Sequence, residues 1–457
     1  MNRSVCLSAI CLLYTIVTKA QEKPNILLIM TDQQTVSALS AAGNKDLHTP
    51  YTDYLAANGT MFTRAYVSQP VCSPSRTSIF CGKMPHETGF TANGSPKEGL
   101  WPAGLPTMGT IVKGAGYQTT YIGKWHIPIP EKSLNIHGFD NVSNTNLRND
   151  YTDAVTSALC ADFFREYDRS KGPFFMVASF LNPHDICEWA RQDPLKMDII
   201  PPLPPDNLLP ALPANFEIPA LEPAIVREQQ HSNYRTYPSL QWDELQWRRY
   251  RWAYNRLIER VDHEVGRVIN ALKKYKLDDN TIVIFTSDHG DGYAAHRWNQ
   301  KQILYEESAG VPFIVSRIGK WSPKVDSTTL ICNGIDIIPT LCGAAGIPTP
   351  GHLKGLNILD RIENPQSAWR DTLVIETEFV DNARPLGIKG RAVITRDYKY
   401  IVYDKGEVRE QLFYLRDDPG ETKSLIREAS AANILQQFRK TLQTWVKENG
   451  DDFKGVL

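Results

Sequence analysis

The sequence lacks an excess of charge of either sign. Its 50 lysines and arginines balance 51 aspartates and glutamates, so the formal net charge of the 457 residues is −1. Chains that bind nucleic acid through its phosphates usually carry a basic excess. The composition therefore gives no electrostatic case for a nucleic-acid partner, and any recognition of charge has to be local.

Long apolar runs are also missing beyond the N-terminal segment. No later stretch approaches the roughly 20 apolar residues that a transmembrane helix needs, so we expect no membrane partner for the mature chain. The segment Met1–Ala20 has a basic start at Arg3, an apolar run through Val17 and a small residue before Gln21. This pattern predicts a signal peptide over residues 1–20 and a secreted or periplasmic protein.

Cysteine pairs with the spacing of a metal knuckle are absent as well. The sequence has 8 cysteines, and no two of them stand in a CxxC arrangement. Disulfides between Cys160 and Cys187, or between Cys332 and Cys342, stay open at this point. The cysteine pattern therefore gives no indication of a structural zinc site and does not settle the pairing.

Apolar and β-rich segments predict the buried strands of a parallel sheet. Because helices cover both faces of such a sheet, its strands are apolar throughout rather than alternating. Helical patterns at Tyr151–Ser170 and Trp242–Lys274 lie between the predicted strands, which indicates an α/β fold. The predicted strands are Ile26–Met30, Tyr117–Ile122, Phe174–Phe180 and Thr281–Thr286.

The pattern of the sequence changes after Gly390. Ile375–Phe379 is predicted to form a last strand before this change, short strand patterns follow it, and a helical pattern covers Ala431–Asn449. We therefore predict a main α/β domain over residues 21–390. A small C-terminal subdomain with an antiparallel sheet and one helix is predicted over residues 391–457.

Polar and charged side chains follow the predicted strands directly. The carboxyl ends of parallel strands meet at one edge of a sheet, where α/β proteins bind ligands. Each side chain alone also fits an ordinary role, such as a helix cap or a surface charge, so their combination carries the interpretation. They are Asp32 and Gln33 after the first strand, Lys124 and His126 after the second, His184 after the third, and Asp288 and His289 after the fourth.

The segment Val71–Gly89 places a cysteine at a predicted helix start. Pro74 suits the first turn of a helix, where a missing N–H costs nothing, and Gly82 suits its end. Free N–H groups and a positive dipole end favour an anionic group beside Cys72. Arg76 can lie on the same helical face and offer a planar fork to an oxyanion.

The run C-S-P-S-R at Cys72–Arg76 resembles the signature of type I, formylglycine-dependent sulfatases of the alkaline-phosphatase-like superfamily. The segments G-K-W-H at 123–126 and LFYLRDDPGETKSL are similar to other parts of that family, so the likeness covers nearly the whole mature chain. It implies a large, mostly parallel mixed sheet between helices and an enzyme that hydrolyses sulfate esters. It also implies that a separate formylglycine-generating enzyme oxidises Cys72 to formylglycine, whose hydrate is the nucleophile.

The resemblance also implies a set of metal ligands. Asp32 and Gln33 stand where the family has an Asp-Asp pair, and Asp288 and His289 stand where it has Asp-Asn or Asp-His. With the modified Cys72, these residues would hold Ca²⁺, with Mg²⁺ or Mn²⁺ as alternatives. The neutral Gln33 removes one negative charge from the site, and the imidazole of His289 broadens the range of metals that it accepts.

The resemblance further implies how the basic residues act. Sulfate-ester cleavage places negative charge on oxygens around sulfur and on the leaving oxygen, and cationic groups stabilise that charge. Asp288 would assist deprotonation of the nucleophile, His184 would protonate the leaving alcohol with help from Lys301, and His126 would later assist sulfate release. The implied catalytic residues are Cys72, Arg76, Lys124, His126, His184 and Lys301.

Two residues beyond His184 are candidates for contact with a sugar. Trp189 could stack on a sugar ring and Arg191 could pair with an anionic group, although packing of a loop explains both equally well. The family and the export signal favour a sulfated carbohydrate, such as a glycosaminoglycan fragment, as the substrate.

Two alternatives to a sulfatase stay open. A phosphodiesterase or phosphonate monoester hydrolase on the same scaffold would also use formylglycine and an Asp-Gln/Asp-His metal site. A non-catalytic sulfoglycan-binding protein is the other alternative. The presence of Cys72, His184 and Lys301 argues against it, because binding alone needs neither a nucleophile nor an acid.

Overall fold

The structure is a computed structural model of the chain. It describes residues 23–94, 101–102, 104–145, 151–193, 195, 200–233, 235–381 and 384–455. The predicted signal peptide, residues 1–20, lies outside the described residues. Within the described ranges, every helix is too short or too polar to cross a lipid bilayer.

Strands and helices alternate through the first two thirds of the chain, and strands dominate the last third. The strands are β1 (Asn25–Asp32), β2 (Gly59–Phe62), β3 (Ala65–Tyr66), β4 (Gln118–Gly123), β5 (Asn141–Ser143), β6 (Phe174–Pro183), β7 (Thr281–Ser287), β8 (Phe313–Ser316), β9 (Lys324–Asp326), β10 (Ile331–Cys332), β11 (Thr372–Asp381), β12 (Arg384–Thr395), β13 (Tyr398–Tyr403) and β14 (Glu410–Tyr414). The α-helices are α1 (Pro50–Ala57), α2 (Cys72–Cys81), α3 (Pro85–Thr88), α4 (Met108–Gly114), α5 (Leu134–His137), α6 (Thr152–Glu166), α7 (Ile186–Ala190), α8 (Ala224–Ser232), α9 (Glu244–Lys274), α10 (Glu306–Ala309), α11 (Asn333–Ala345), α12 (Ile358–Glu363) and α13 (Ala432–Asn449). Short 3₁₀ turns cover Ser40–Ala42, Arg169–Lys171, Asp206–Leu208, Pro238–Gln241, Asp278–Asn280, Ala295–Arg297 and Ala429–Ala431.

The main sheet has eight strands in the order β5-β4-β6-β1-β7-β8-β2-β9. The strands from β5 to β7 run parallel, whereas β8 is antiparallel to both β7 and β2. The predicted α/β fold with a large, mostly parallel mixed sheet is therefore confirmed. β1 lies between β6 and β7, so the carboxyl ends of these three strands are neighbours.

Both faces of β1 are covered, as its continuous apolar run predicts. Ile26, Leu28 and Met30 pack on one face with residues of α2, α4 and α11. Leu27 and Ile29 pack on the other face against α6 and α9. Because successive side chains of a strand point to opposite faces, one apolar run serves two core clusters. Each fully buried aliphatic side chain adds about 1.5–3 kcal/mol of favourable transfer free energy.

The C-terminal part forms a separate antiparallel sheet in the order β11-β12-β13-β14. Helix α13 packs on one of its faces, and Tyr66 and Tyr305 of the main part pack on the other. The last strand predicted before Gly390 belongs to this sheet, because β11 pairs with β12 from Thr372 to Asp381. The antiparallel sheet thus begins before residue 391, since β12 needs its preceding hairpin partner. The division of the chain into domains at residues 390 and 391 stays a prediction.

The cysteines of the described ranges are buried free thiols. All six cysteines of the described ranges are unpaired, so neither disulfide that the sequence left open forms there. A buried cysteine without a partner behaves as a small apolar side chain. The stability of the fold therefore comes from its packed core rather than from cross-links.

Gly123 ends β4 in a backbone conformation that a larger residue cannot adopt there. Its φ is +114°, and an added Cβ would lie 1.8 Å from the carbonyl oxygen of Ser179 in the neighbouring β6. Lys124 follows directly, so a shift of this backbone would displace the Lys124 side chain. The close approach of β4 and β6 therefore fixes where this lysine is presented.

We expect Gly123→Ala to lower the free energy of unfolding by more than about 3 kcal/mol, because it adds a backbone clash to left-handed strain. Gly116→Ala is the matched control, since its φ is +89° and nothing lies within 4 Å of an added Cβ. Left-handed strain alone should cost the control about 1–2 kcal/mol. Urea unfolding followed by circular dichroism measures both variants. Equal losses would contradict the steric explanation.

Candidate active site

Side chains from distant parts of the chain meet at the carboxyl edge of the main sheet. They come from the ends of β1, β4, β6 and β7, from the start of α2 and from the loop after β7. Most of them are buried, and they contact or act electrostatically on one another. The group consists of Asp32, Gln33, Cys72, Arg76, Lys124, His126, His184, Asp288, His289 and Lys301.

Arg76 holds the two carboxylates of this group in place. Its Nε lies 2.7 Å from Oδ2 of Asp288, and its Nη2 lies 2.7 Å from Oδ2 of Asp32. Its Nη1 donates to Oγ of Ser179 at 2.8 Å and to the carbonyl oxygen of Lys124 at 3.1 Å. The planar guanidinium thus orients both carboxylates. Contact between Arg76 and an oxyanion stays a prediction.

The other oxygen of each carboxylate faces a common centre. Nε2 of His289 lies 4.0 Å from Oδ1 of Asp32 and 3.7 Å from Oδ1 of Asp288, and Sγ of Cys72 lies 3.9 Å from Oδ1 of Asp32. One ligand atom from each of these four residues lies within 4.8 Å of the others. Nδ1 of His289 lies 2.8 Å from the carbonyl oxygen of Gly290. Because that carbonyl can only accept, Nδ1 carries a proton, and Nε2 is the ring nitrogen that can bind a cation when the ring is neutral. Burial lowers the pKa of His289, but Asp288 and then Cys72 outweigh it and raise that pKa. Two carboxylate oxygens and one imidazole nitrogen fit a divalent cation.

The two carboxylates differ in their proton affinity. Burial favours the neutral form of Asp32, but Lys124 and then Arg76 outweigh it and hold the pKa of Asp32 well below its usual value. Nζ of Lys124 lies 2.7 Å from Oδ2 of Asp32. Burial raises the pKa of Asp288, Arg76 opposes this effect, and the negative charge of Asp32 adds to it. A cation at the centre would favour the charged form of Asp288.

Cys72 is the first residue of α2, at the positive end of the helix dipole. Its Sγ lies 3.0 Å from Nζ of Lys301 and 3.0 Å from Nε2 of His289. Burial and Asp32 raise the pKa of the thiol, but Lys301, His289 and Lys124 outweigh them and bring it well below its usual value. The environment therefore stabilises negative charge at this position.

Two histidines flank Cys72 in mainly neutral form. Burial is the largest effect on the pKa of His126 and of His184, and it lowers both. Lys124 lowers the pKa of His184 further, whereas Asp32 and a hydrogen bond with Cys72 oppose this effect. An anionic substrate beside Lys124 would raise the pKa of His184, because negative charge favours the imidazolium.

Gln33 contacts groups that the sequence did not associate with it. Its Oε1 accepts from Nζ of Lys301 at 3.3 Å and from Sγ of Cys187 at 3.4 Å. Its Nε2 donates to Oδ2 of Asp291 at 2.8 Å. The amide therefore links the end of β1 to Lys301, and its role as a metal ligand stays a prediction.

Asp291 is a site residue that sequence analysis missed. It is fully buried and accepts from Gln33, from the hydroxyl of Tyr250 at 2.8 and 2.9 Å, and from the backbone N–H groups of Tyr293 at 2.8 Å and Gln300 at 3.1 Å. It stands in the same D-H-G-D run as Asp288, which was the available signal. Asp291 fixes both Gln33 and the loop that carries Lys301.

The two candidate sugar-binding residues lie on and after α7. The ring of Trp189 packs 6.2 Å from the ring of Tyr250. Arg191 pairs with Glu188 at 3.0 Å and with Asp193 at 2.7 Å. These contacts are those of a packed loop, and contact with a sugar stays a prediction for both residues.

Comparison with protein families identifies the chain. The family model described as Sulfatase matches residues 24–347, well over half of the sequence. The chain belongs to the sulfatase family. A second family model, described as N-sulphoglucosamine sulphohydrolase, C-terminal, matches residues 294–448 of this sulfatase. The predicted family and enzyme class are thereby confirmed.

Individual sulfatases resemble this one along nearly its whole length. It is 30% identical over 453 residues to the Delta 4,5-hexuronate-2-O-sulfatase of Bacteroides thetaiotaomicron, with 96% of this chain and 92% of the relative covered. It is similar to the solved structure of a 2-O GAG sulfatase, with a TM-score of 0.84, 29% identity and coverage of 94% and 93%. The phosphonate monoester hydrolase of Agrobacterium radiobacter gives a TM-score of 0.73 at 21% identity, with coverage of 93% and 96%. That last likeness shows the fold alone.

Asp291→Asn should lower the free energy of unfolding of this sulfatase by about 1–3 kcal/mol, because an amide nitrogen would face donors that now bind a carboxylate oxygen. Asp162→Asn is the control, since the Asp162 side chain is 49% exposed and its replacement should change stability by less than about 0.5 kcal/mol. Urea unfolding measures the free energy of unfolding of both variants and of the wild type. An unchanged Asp291→Asn variant would contradict the positioning role of Asp291.

Proposed function

We propose that this sulfatase hydrolyses sulfate esters on carbohydrates, with sulfated glycosaminoglycan fragments as the preferred substrate class. The observation that carries the proposal is the position of Cys72 at the start of α2. Its Sγ is 3.0 Å from Lys301 and shares a centre with two carboxylates and His289. The names of the hexuronate-2-O-sulfatase and of the 2-O GAG sulfatase favour a glycosaminoglycan as the sugar.

Cys72 supplies the nucleophile after oxidation to formylglycine by a separate maturing enzyme. Formylglycine would supply the hydroxyl of an aldehyde hydrate as the nucleophile in exchange for the leaving alcohol, and loss of sulfate would leave the aldehyde, to which water adds again. Lys301 donates to the Cys72 side chain in the present geometry, so it is placed to stabilise negative charge on an oxygen there. Asp288 faces the same atom and can accept its proton.

Asp32, Asp288 and His289 are the residues that would hold the divalent cation, with the modified Cys72 and Gln33 as further ligands. The cation would stabilise negative charge on the sulfate oxygens and on the nucleophile. The all-oxygen preference of Ca²⁺ fits the two carboxylates, whereas His289 allows Mg²⁺ or Mn²⁺ as well. Arg76 keeps both carboxylates turned toward the cation through its two 2.7 Å ion pairs.

His184 acts as the general acid and His126 as the base that assists sulfate release. Burial and then Lys124 lower the pKa of His184, which favours the neutral ring in the free enzyme. Binding of a sulfate ester brings negative charge next to both residues and favours the imidazolium that the acid role requires. Lys124 and Lys301 would contact the sulfate oxygens.

Export and maturation complete the proposal. The signal-peptide pattern over residues 1–20 supports a secreted or periplasmic location, where polysaccharides are available. The C-S-P-S-R run is the feature that a sulfatase-maturing enzyme would recognise. The segment around Cys72 is thus the basis for both proposed partners, the sulfated carbohydrate and the maturing enzyme.

Hydrolysis of a phosphonate monoester is the second candidate function. The Asp32-Gln33 and Asp288-His289 pairs favour it, because they resemble the Asp-Gln/Asp-His metal site of such hydrolases. The two candidates differ in a direct comparison of an aryl sulfate with an aryl phosphonate ester at equal leaving-group acidity. A kcat/KM higher for the aryl sulfate supports the sulfatase assignment, and a higher value for the phosphonate would overturn it.

Activity should follow the modification of Cys72. Trypsin should release the peptide Ala65–Arg76 intact, since no Lys or Arg lies between Arg64 and Arg76. Protein made together with a maturing enzyme should carry formylglycine in this peptide and release sulfate from a sulfated disaccharide. Protein made without that enzyme should carry Cys72 and lose at least about 10³-fold in kcat, because an unmodified thiol cannot regenerate an aldehyde.

Cys72→Ala should abolish turnover whether or not the maturing enzyme is present. Cys81→Ala is the matched control, because Cys81 is a buried thiol at the other end of the same helix. The control should keep both formylglycine and activity. Full activity from protein in which mass spectrometry finds only unmodified Cys72 would contradict the formylglycine mechanism.

The loss caused by His184→Ala should depend on the leaving group. A sugar sulfate has a poor leaving group that needs protonation, so we expect kcat to fall by about 10²–10⁴-fold. An activated aryl sulfate leaves without an acid and should lose less than about 10-fold. His263→Ala is the control, since its side chain is 67% exposed. Equal losses on both substrates would indicate a binding role for His184.

A further inference from the structure

A cavity lies between the antiparallel sheet and the segment that precedes Cys72. Its walls come from β11 and β12, from α3 and the residues after it, from the chain after α13, and from Gln69. The cavity has a volume of about 370 Å³, within the range of about 300–1,000 Å³ that small-ligand pockets have. A molecule of the size of a sugar unit can therefore fit there.

The wall of this cavity adjoins the active site along the chain. Gln69 stands three residues before Cys72, so their Cα atoms are at most about 11 Å apart. Thr377 also lines the cavity, and its Oγ1 donates to the carbonyl oxygen of Gln302, the residue directly after Lys301. A ligand in the cavity and a sulfate group at Cys72 can therefore belong to one disaccharide.

The positive charges of the cavity wall already have carboxylate partners. In each pair, the nitrogen and the carboxylate oxygen lie 2.5 to 2.7 Å apart. Such a cation can bind an anionic group of a ligand only by giving up its present partner, which costs the energy of that pair. The pairs are Lys389 with Asp452, Arg391 with Asp451, and His86 with Glu376.

Glu378 is a carboxylate of the same wall that lacks such a partner. The residue is only 8% exposed, and it lines the cavity. Lys389 faces Glu378 across the pair of β11 and β12, but its ammonium group turns to Asp452. Within the described ranges, the Glu378 carboxylate takes part in neither a hydrogen bond nor an ion pair. A buried carboxylate without a donor is costly, which calls for a ligand that donates hydrogen bonds.

Gln69 adds a second free acceptor to the cavity. Its Nε2 donates to the carbonyl oxygen of Thr91 at 2.7 Å. Because that carbonyl can only accept, the amide orientation is fixed and Oε1 is left without a donor in the described part of the chain. The residue is 1% exposed. Buried acceptors fit hydroxyl groups, whereas the cationic groups of the same wall disfavour an ammonium group as the donor.

We propose that this cavity binds the sugar unit next to the sulfated one, and that Glu378 accepts hydrogen bonds from two neighbouring hydroxyl groups of that unit. The inference rests on the proposed function, because it assumes that the substrate is a sulfated carbohydrate. Glu378 is then a specificity-determining residue that favours a neutral unit with free hydroxyl groups. A sulfate or carboxylate in the same place would meet the negative charge of Glu378 and would be disfavoured.

The test compares two substrates of the mature enzyme that carries formylglycine. One is the singly sulfated glycosaminoglycan disaccharide that the wild type hydrolyses fastest, and the other is 4-nitrophenyl sulfate, which has no second sugar. Glu378→Gln should lower kcat/KM for the disaccharide by about 10- to 100-fold, because hydrogen bonds to a buried charged group are lost. It should change kcat/KM for 4-nitrophenyl sulfate by less than about 2-fold, because Glu378 contacts none of the reacting groups.

Glu407→Gln is the matched control, because it removes the same charge from an exposed residue between β13 and β14. It should leave both values unchanged. Equal losses of Glu378→Gln on both substrates, or an unchanged value for the disaccharide, would overturn the proposal. A wild type that releases sulfate from 4-nitrophenyl sulfate but from no disaccharide would overturn the proposed carbohydrate substrate, and this inference with it.

The wild type alone provides a second measurement, which stands even if the Glu378 variant does not fold. Its kcat/KM for the disaccharide should exceed that for the corresponding sulfated monosaccharide by at least about 10-fold, because only the disaccharide reaches Glu378. Both substrates carry the sulfate at the same position of the same sugar, so their leaving groups are alike. Equal values would overturn the proposal and leave the sulfatase assignment intact.

Discussion

The ion pairs of Arg76 with Asp32 and Asp288 are the interactions on which the rest of the site depends. One guanidinium, presented from the first turns of α2, spans the ends of β1 and β7 at 2.7 Å to each carboxylate. Two like charges this close in a buried place repel each other strongly. The positive charge of Arg76 offsets this repulsion. Because its planar guanidinium binds Oδ2 of each carboxylate, Oδ1 of each is left to face the side of Cys72. One side chain thus fixes the two carboxylates that we propose as cation ligands.

The fold could be predicted from the sequence where local pattern and tertiary structure agree. The apolar run after Asn25 became the central strand β1, with Leu27 and Leu28 in separate core clusters. The same method failed to place β11 in the C-terminal sheet, because a strand pattern shows that a segment pairs but not which sheet it joins. Partner choice in a sheet depends on distant packing, here of Ile375 and Phe379 against Tyr403.

The sequence also predicted that the polar side chains after the parallel strands lie close together. It did not predict which hydrogen bonds these side chains form. Asp32 and Asp288 share a centre because parallel strands end at one edge. That Gln33 turns its oxygen to Lys301 depends on Asp291, which holds the amide from the other side. Sequence spacing carries no information on side-chain direction in an irregular loop. Sequence analysis therefore did not identify Asp291 as a site residue, although it stands three positions after Asp288 in the same D-H-G-D run.

The active site has to hold positive charge for a substrate that is not yet bound. Asp32 serves as the counterion of Lys124 in the meantime, and Nζ of Lys301 lies 3.0 Å from Sγ of Cys72 and 3.3 Å from Oε1 of Gln33. The lysines are already removed from water in the free enzyme. A sulfate ester that replaces part of their present contacts therefore adds little further desolvation cost. The same exchange would raise the pKa of His184, because the substrate adds negative charge where Lys124 now suppresses protonation. In the proposed mechanism, binding and the supply of a proton are thereby coupled through Lys124, and an uncharged analogue that fits the same space would not raise the pKa of His184.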